Sequence, residues 1–164
     1  MTTASDPPRV SRRAPRALRV LAQGLAVAAA VAAAGMTAEA ADIGQIKVAK
    51  GQATIDRGGG TLPAEVGMRV QSADVLRTGA DGSIGVTMSD NSLLGIGPNS
   101  VLSLDSYEFD ATTQQGRFDS MLSKGSLAVI SGRIAKQTPD AMKVRTPMSI
   151  LGVRGTEFAV SADE

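Results

Sequence analysis

Apolar residues recur at every second position over much of residues 41–164, and turn residues interrupt the alternation every few positions. Gln45-Ile46-Lys47-Val48 and Ala53-Thr54-Ile55-Asp56 are two such runs, joined by Lys50-Gly51-Gln52. Arg57-Gly58-Gly59-Gly60 predicts a flexible turn, and Leu62-Pro63 restarts the chain. Residues 83–89 put Ile84, Val86 and Met88 on one strand face. Asp90-Asn91 follows as a two-residue turn of the kind that tolerates positive φ. Leu94 and Ile96 resume the alternation, Gly97-Pro98-Asn99 turns again, and Leu102 and Leu104 continue it. Later strands are expected around Leu127 and Val129, Val144, Ile150 and Val153, and Phe158 and Val160. Strands so short and so regularly punctuated predict an all-β sandwich, barrel or β-solenoid rather than a βαβ fold.

Other positions refine this picture. Leu76-Arg77-Thr78 followed by residues 83–86 echoes Val144-Arg145-Thr146 followed by residues 149–153, which suggests two similar strand pairs stacked in the fold. Gly85, Gly95, Gly97, Gly152 and Gly155 in strand-rich stretches imply bulges, corners or close backbone approach. Pro147 holds Thr146 extended and removes one ladder hydrogen bond, so a strand is expected to begin or to lie at an edge there.

The first forty residues follow a different pattern. Residues 1–19 carry five arginines against one acid, Asp6; residues 20–35 are almost wholly Ala, Val and Leu; Ala38-Glu39-Ala40 then offers small residues at both positions that a signal peptidase reads. Residues 1–40 are therefore expected to form a signal-peptide helix, cleaved after Ala40, with residues 41–164 as one β domain. An uncleaved anchor is the alternative, but sixteen helical residues span about 24 Å, short of the roughly 30 Å hydrocarbon core. Ser11-Arg12-Arg13 hints at twin-arginine export, with Pro15 where that signal has a large apolar residue.

Cleavage changes the charge that matters. The chain has 17 basic and 16 acidic residues; without five arginines, Asp6 and Glu39, residues 41–164 keep 12 and 14, a net charge of −2. That balance gives no electrostatic footprint for nucleic acid. Histidine and cysteine are both absent, which removes the usual zinc, copper and haem ligands and His-activated nucleophiles. No cofactor, metal or catalytic residue is expected. Asp105, Glu108 and Asp110 form the nearest acidic cluster, without the spacing or glycine of a calcium loop. One Tyr, three Phe and no Trp leave the core to Val, Ile, Leu and Met. Tyr107 and Phe109 share a strand face and are expected to pack at the core or its rim, not to form a ligand platform.

The ordered motifs resemble the FecR domain. Residues 74–88 are similar to its first half, and Asp90-Asn91-Ser92 with residues 94–100 to its middle. Gly125-Ser126-Leu127 and residues 131–136 fit the segment that follows. Lys143-Val144-Arg145-Thr146-Pro147 with residues 152–158 resembles the closing signature, and the likeness covers residues 43–161. It implies a short-stranded two-layer roll or a β-solenoid-like domain, with Asp90, Asn91, Thr146, Pro147, Gly152, Arg154, Gly155 and Glu157 as structural signature residues.

The family is named for a regulator of ferric-citrate uptake, whose periplasmic domain relays a signal from an outer-membrane receptor to a cytoplasmic sigma factor. Residues 1–19 are short and basic, and nothing follows Glu164, so neither a sigma-binding segment nor a receptor-facing module is expected. The resemblance carries the fold and the compartment, periplasmic or secreted, but not anti-sigma activity. The expected function is a non-catalytic binding or signalling module that docks a protein or other envelope component. The alternative is a structural, self-associating component of the envelope or extracellular matrix; the oligomeric state stays open. Arg154 and Glu157, three residues apart around Gly155, are expected to hold the closing turn together as an ion pair.

Overall fold

A computed structural model describes residues 41–138, 140–153 and 157–162, all within one compact unit, Ala40–Glu164. The first strands are β1 (Asp42–Lys50), β2 (Ala53–Arg57), β3 (Gly60–Pro63) and β4 (Arg69–Gln71). Then come β5 (Val75–Thr78), β6 (Ser83–Met88), β7 (Leu93–Ile96) and β8 (Val101–Phe109). The long β9 (Gly116–Ile130) leads into a short helix, α1 (Arg133–Gln137). β10 (Met142–Arg145), β11 (Ile150–Gly152) and β12 (Glu157–Ala162) complete the order. The signal-peptide expectation for residues 1–40 lies outside the described residues.

The sheet curls around one core and has two halves that share β9. One half runs β4-β1-β6-β7-β9-β12, the other β3-β2-β5-β8-β9-β10-β11. All strand pairs are antiparallel except β9 with β10. A solenoid stacks parallel coils, so the all-β architecture is a roll. The chain crosses repeatedly between the halves: β1 lies in one, β2 and β3 in the other, β4 back in the first, β5 again in the second. The inward faces of β6 and β7 follow the period of two. β6 buries Ile84, Val86 and Met88, and β7 buries Leu94 and Ile96. From the other half Ile55, Leu76, Leu102, Leu104, Phe118 and Leu122 meet them in a single cluster. Each such burial contributes about 1.5–3 kcal/mol. Phe118 is the one aromatic among the largest fully buried side chains, as the scarcity of rings requires.

Gly125 makes the shared strand work. Residues 116–124 of β9 pair with β8, and residues 127–130 pair with β7. Gly125 stands between the two stretches at φ +88°, a region closed to most side chains. A Cβ there would come within 2.5 Å of Ser100 Cα and 2.7 Å of Ser100 Cβ. The bend that carries β9 from one half to the other thus depends on a missing side chain.

Two expectations need correction. The echo between residues 76–86 and 144–153 does not mark stacked strand pairs: β10 and β11 pair as a hairpin, whereas β5 pairs with β2 and β8, and β6 with β1 and β7. Nor does the strand that leads into Pro147 begin there or lie at an edge. β10 ends at Arg145 and lies between β9 and β11, and Thr146 to Ser149 form the hairpin turn, closed by Thr146 N–H to Ser149 O at 2.8 Å. Proline's fixed φ and missing N–H suit the second position of such a turn.

Candidate docking surface

Asp90 and Asn91 sit in the β6–β7 hairpin. Asn91 takes positive φ (+66°), as expected, but the loop has three residues, Ser89 to Asn91, closed by Asn91 N–H to Met88 O at 3.0 Å and Met88 N–H to Ser92 O at 2.9 Å. The extra residue turns Asp90 inward, where it is fully buried. One carboxylate oxygen accepts from Ser92 N–H at 3.1 Å and from the Tyr107 hydroxyl at 3.3 Å. The other accepts from Ser92 Oγ at 2.7 Å and from Ile134 N–H at 3.3 Å. The Asp90 carbonyl accepts from Arg133 N–H at 2.9 Å, and Gly132 N–H donates to Ser92 Oγ at 2.9 Å.

Helix α1 has no side-chain cap of its own from Gly132. Its first N–H groups are satisfied by a loop some forty residues earlier, and a carboxylate is favoured at that positive end. Gly132 permits the approach: a Cβ there would strike the Asp90 carbonyl and the Ser92 backbone nitrogen. The Asp90 cluster is a sealed structural lock, and every oxygen in it is engaged within the fold.

Tyr107 closes the lock from β8. Its hydroxyl accepts from Asp90 N–H at 2.8 Å, and its ring meets Phe118 edge to face, centroids 5.7 Å apart. Tyr107 and Phe109 are both half-buried and packed against the core. Burial, and next the Asp90 carboxylate, push the Tyr107 hydroxyl well above its ordinary pKa. A raised folded pKa means that this contribution to stability is fully present below about pH 10 and is lost as pH rises through the folded value. Tyr107 is the single tyrosine, so tyrosinate absorbance reports on it alone. At about pH 11 the folded protein should show almost no tyrosinate, and the urea-unfolded protein nearly full signal. Full tyrosinate absorbance in the folded state would contradict the buried placement.

The remaining signature residues lie at the other end of the chain. Thr146 and Pro147 form the tip of the β10–β11 hairpin, and Thr146 Oγ1 accepts from Ser149 N–H at 3.0 Å. Gly152 ends β11 and pairs with Lys143; a Cβ on it would lie 3.2 Å from Asp140 Oδ1. Glu157 opens β12, exposed, opposite Ile130. Arg154 and Gly155 lie outside the described residues, and with them the expected Arg154–Glu157 pair.

The hairpin tip is the least expected surface of the molecule. Met148 is 94% exposed and Ile150 71%, beside exposed Pro147. They are the two most exposed large apolar side chains among the described residues. The platform below is firm: Lys143, Val144 and Arg145 pair with β9 on one side and with β11 on the other. Arg145 donates to Asp105 on β8 at 2.6 Å. A short turn on two paired strands therefore holds apolar side chains out in water, where single large residues cost little but a cluster of them marks an interaction site.

The acidic cluster does not converge. Asp105 is engaged by Arg145 and by Ser103 Oγ at 2.5 Å, while Asp110 caps the N–H groups of Thr112 and Thr113 at 2.7 and 3.2 Å. Those N–H groups hold the Asp110 carboxyl below the usual range. Among the described residues no three carboxylates stand together as metal ligands. Arg77, like Arg145, is exposed and cross-strand paired, to Asp56 on β2 at 2.6 Å. Its guanidinium, and after it Thr61, lowers the Asp56 carboxyl.

Sequence reasoning missed a second fully buried carboxylate, Asp74. It accepts a forked pair of bonds from Arg57, Nε at 2.8 Å and Nη2 at 2.7 Å, and a third from Gln71 N–H at 2.8 Å. Arg57 also donates to the Arg69 carbonyl at 2.8 Å, joining β2 to β4 across the halves. Its guanidinium is held above its ordinary pKa chiefly by Asp74.

The domain is an all-β roll with buried polar locks and an exposed apolar hairpin tip. The chain belongs to the FecR protein family, whose description fits residues 74–164, from the buried Asp74 through the hairpin to β12. No curated protein and no solved structure matches the chain. The family is a signalling and regulatory domain, not known for catalysis and typical of envelope-associated proteins. Among the described residues no helix is long and apolar enough to cross a membrane.

Proposed function

We propose that this chain is an exported signalling module that works by docking a protein of the cell envelope through the tip of its β10–β11 hairpin. The observation that carries the reading is the exposure of Met148 and Ile150 on a turn braced by two strands. Aliphatic anchors presented on a rigid support lose little freedom on binding, and a few such anchors dominate most interfaces. Export is supported by the basic, apolar and small-residue order of residues 1–40, with the mature chain starting at Ala41. The role needs no metal or catalytic residue.

The test is capture from an envelope extract with the wild-type chain and the Met148→Asp/Ile150→Asp variant as baits. Both substituted side chains are exposed, so the variant should unfold within about 0.5 kcal/mol of wild type. It should lose the captured partner, with at least about tenfold weaker binding, since each anchor contributes on the order of 1–2 kcal/mol. Undiminished capture by the variant would refute hairpin docking.

A further inference from the structure

The open strand edges of the roll are unlike one another. β3 ends on Pro63, β4 has three residues and begins with Arg69, and β11 has three residues. Short length, proline and charge are ordinary means of keeping an edge from pairing. β12 is neither short nor broken by proline: it runs six residues, its one charge is Glu157 at the start, and from there it reads Phe-Ala-Val-Ser-Ala. All six residues pair with residues 125–130 of β9, and among the described residues nothing pairs with the opposite edge.

Two further features suit this edge to another strand. Phe158 and Val160 pack against the core yet remain half exposed, while Leu127 and Val129 on the adjoining strand are 1% and 0% exposed. A strand beyond β12 would complete their cover. On the outer face Ala159 continues a row of small residues, Gly95–Ala128–Ala159, that lines a shallow basin of about 450 Å³. No bulky side chain there would lift an incoming strand out of the sheet.

We propose that β12 is the edge by which two copies of this chain pair, antiparallel about a twofold axis, so that their sheets join. A register centred on Ala159 sets Phe158 opposite Val160 of the second copy, Ala159 opposite Ala159, and Glu157 opposite Ser161. Inward residues then meet inward residues, as the pleat demands, and no acid faces an acid. The net charge of −2 on residues 41–164 opposes the approach of two copies only weakly. The strand itself supplies the apolar alternation that its own edge requires, which singles out a second copy as the occupant. The contact is isologous, uses each edge once and closes at two. One six-residue edge lies below the roughly 1,000 Å² of a stable interface, so the dimer forms in a concentration-dependent way. This pairing uses a different part of the molecule from hairpin docking and stands apart from that reading.

Sedimentation of the processed chain should pass from monomer to dimer mass as concentration rises to about 1 mM, with no larger species. Ala159→Lys and Ala159→Glu, at an exposed position, should each keep the fold and weaken pairing roughly fivefold or more by setting like charges opposite each other. Mixed in equal amounts, the two variants should recover the dimer. Met148→Asp/Ile150→Asp should leave dimerisation unchanged while weakening envelope capture at least about tenfold, which separates the two surfaces. A wild-type monomer throughout the range would overturn the proposal, as would single variants that dimerise like wild type or a mixture that stays monomeric.

Discussion

Replacing Asp90 by alanine should destabilise the domain by about 4 kcal/mol, the largest loss expected from any single side chain. The carboxylate accepts from Ser92 N–H, Ser92 Oγ, the Tyr107 hydroxyl and Ile134 N–H, and no water reaches it. Truncation leaves those donors buried without acceptors, at about 1–3 kcal/mol per orphaned group before relaxation. It also opens a polar void beside Gly132, and Ile134 N–H in the first turn of α1 loses its acceptor, while Arg133 N–H keeps the Asp90 carbonyl. Asp90→Asn keeps the shape and one acceptor oxygen, so about half the loss is expected. Because domains are stable by only about 5–15 kcal/mol, Asp90→Ala should show a sharply lower urea midpoint. A loss below about 1 kcal/mol would mean that the loop and α1 are held by packing alone.

Gly125→Val should cost nearly as much, about 3–5 kcal/mol, through backbone and sterics. Valine at φ +88° is strained whatever surrounds it, and here its Cβ would run into Ser100. Ser100 cannot yield cheaply. It is fully buried, its hydroxyl accepts from Ser126 N–H at 2.9 Å and donates to Pro98 O at 3.0 Å, and its N–H donates to Thr78 Oγ1 at 2.9 Å. Alanine at the same position should lose less, about 2–3 kcal/mol, since it lacks the branched β-carbon. If valine were tolerated within 1 kcal/mol of wild type, the bend in β9 would not depend on this residue.

The sequence showed the strands best where one face is buried and the other wet. β6 and β7 were legible residue by residue because each has a covered face and a solvated one. β9 was not, and only its end near Leu127 and Val129 was expected. In its first half Phe118, Asp119 and Ser120 are all buried in succession, so no alternation remains to be read there. The same limit hid the crossings between halves, which follow from loops rather than from period. Asp90-Asn91 was legible as a turn with positive φ, but not as a three-residue loop with an inward carboxylate. The signals for that lie some forty residues on, in Gly132, and seventeen residues on, in the Tyr107 hydroxyl. The hairpin tip was obscured by its own alternation, since Ile150 reads as a core residue when only its neighbours in sequence are counted.

The docking claim is tested most directly by a photo-cross-linking side chain placed in the intact protein in living cells, at position 148 and, as a control, at the exposed Leu62. Position 148 lies on the hairpin tip, and Leu62 lies on β3, a strand of the open edge opposite β11. The expected result is a cross-link from position 148 to one envelope protein, none from position 62, and a cross-linked chain whose mass begins at Ala41. Equal labelling from both positions, or a chain that keeps residues 1–40 and cross-links only cytoplasmic proteins, would contradict the account.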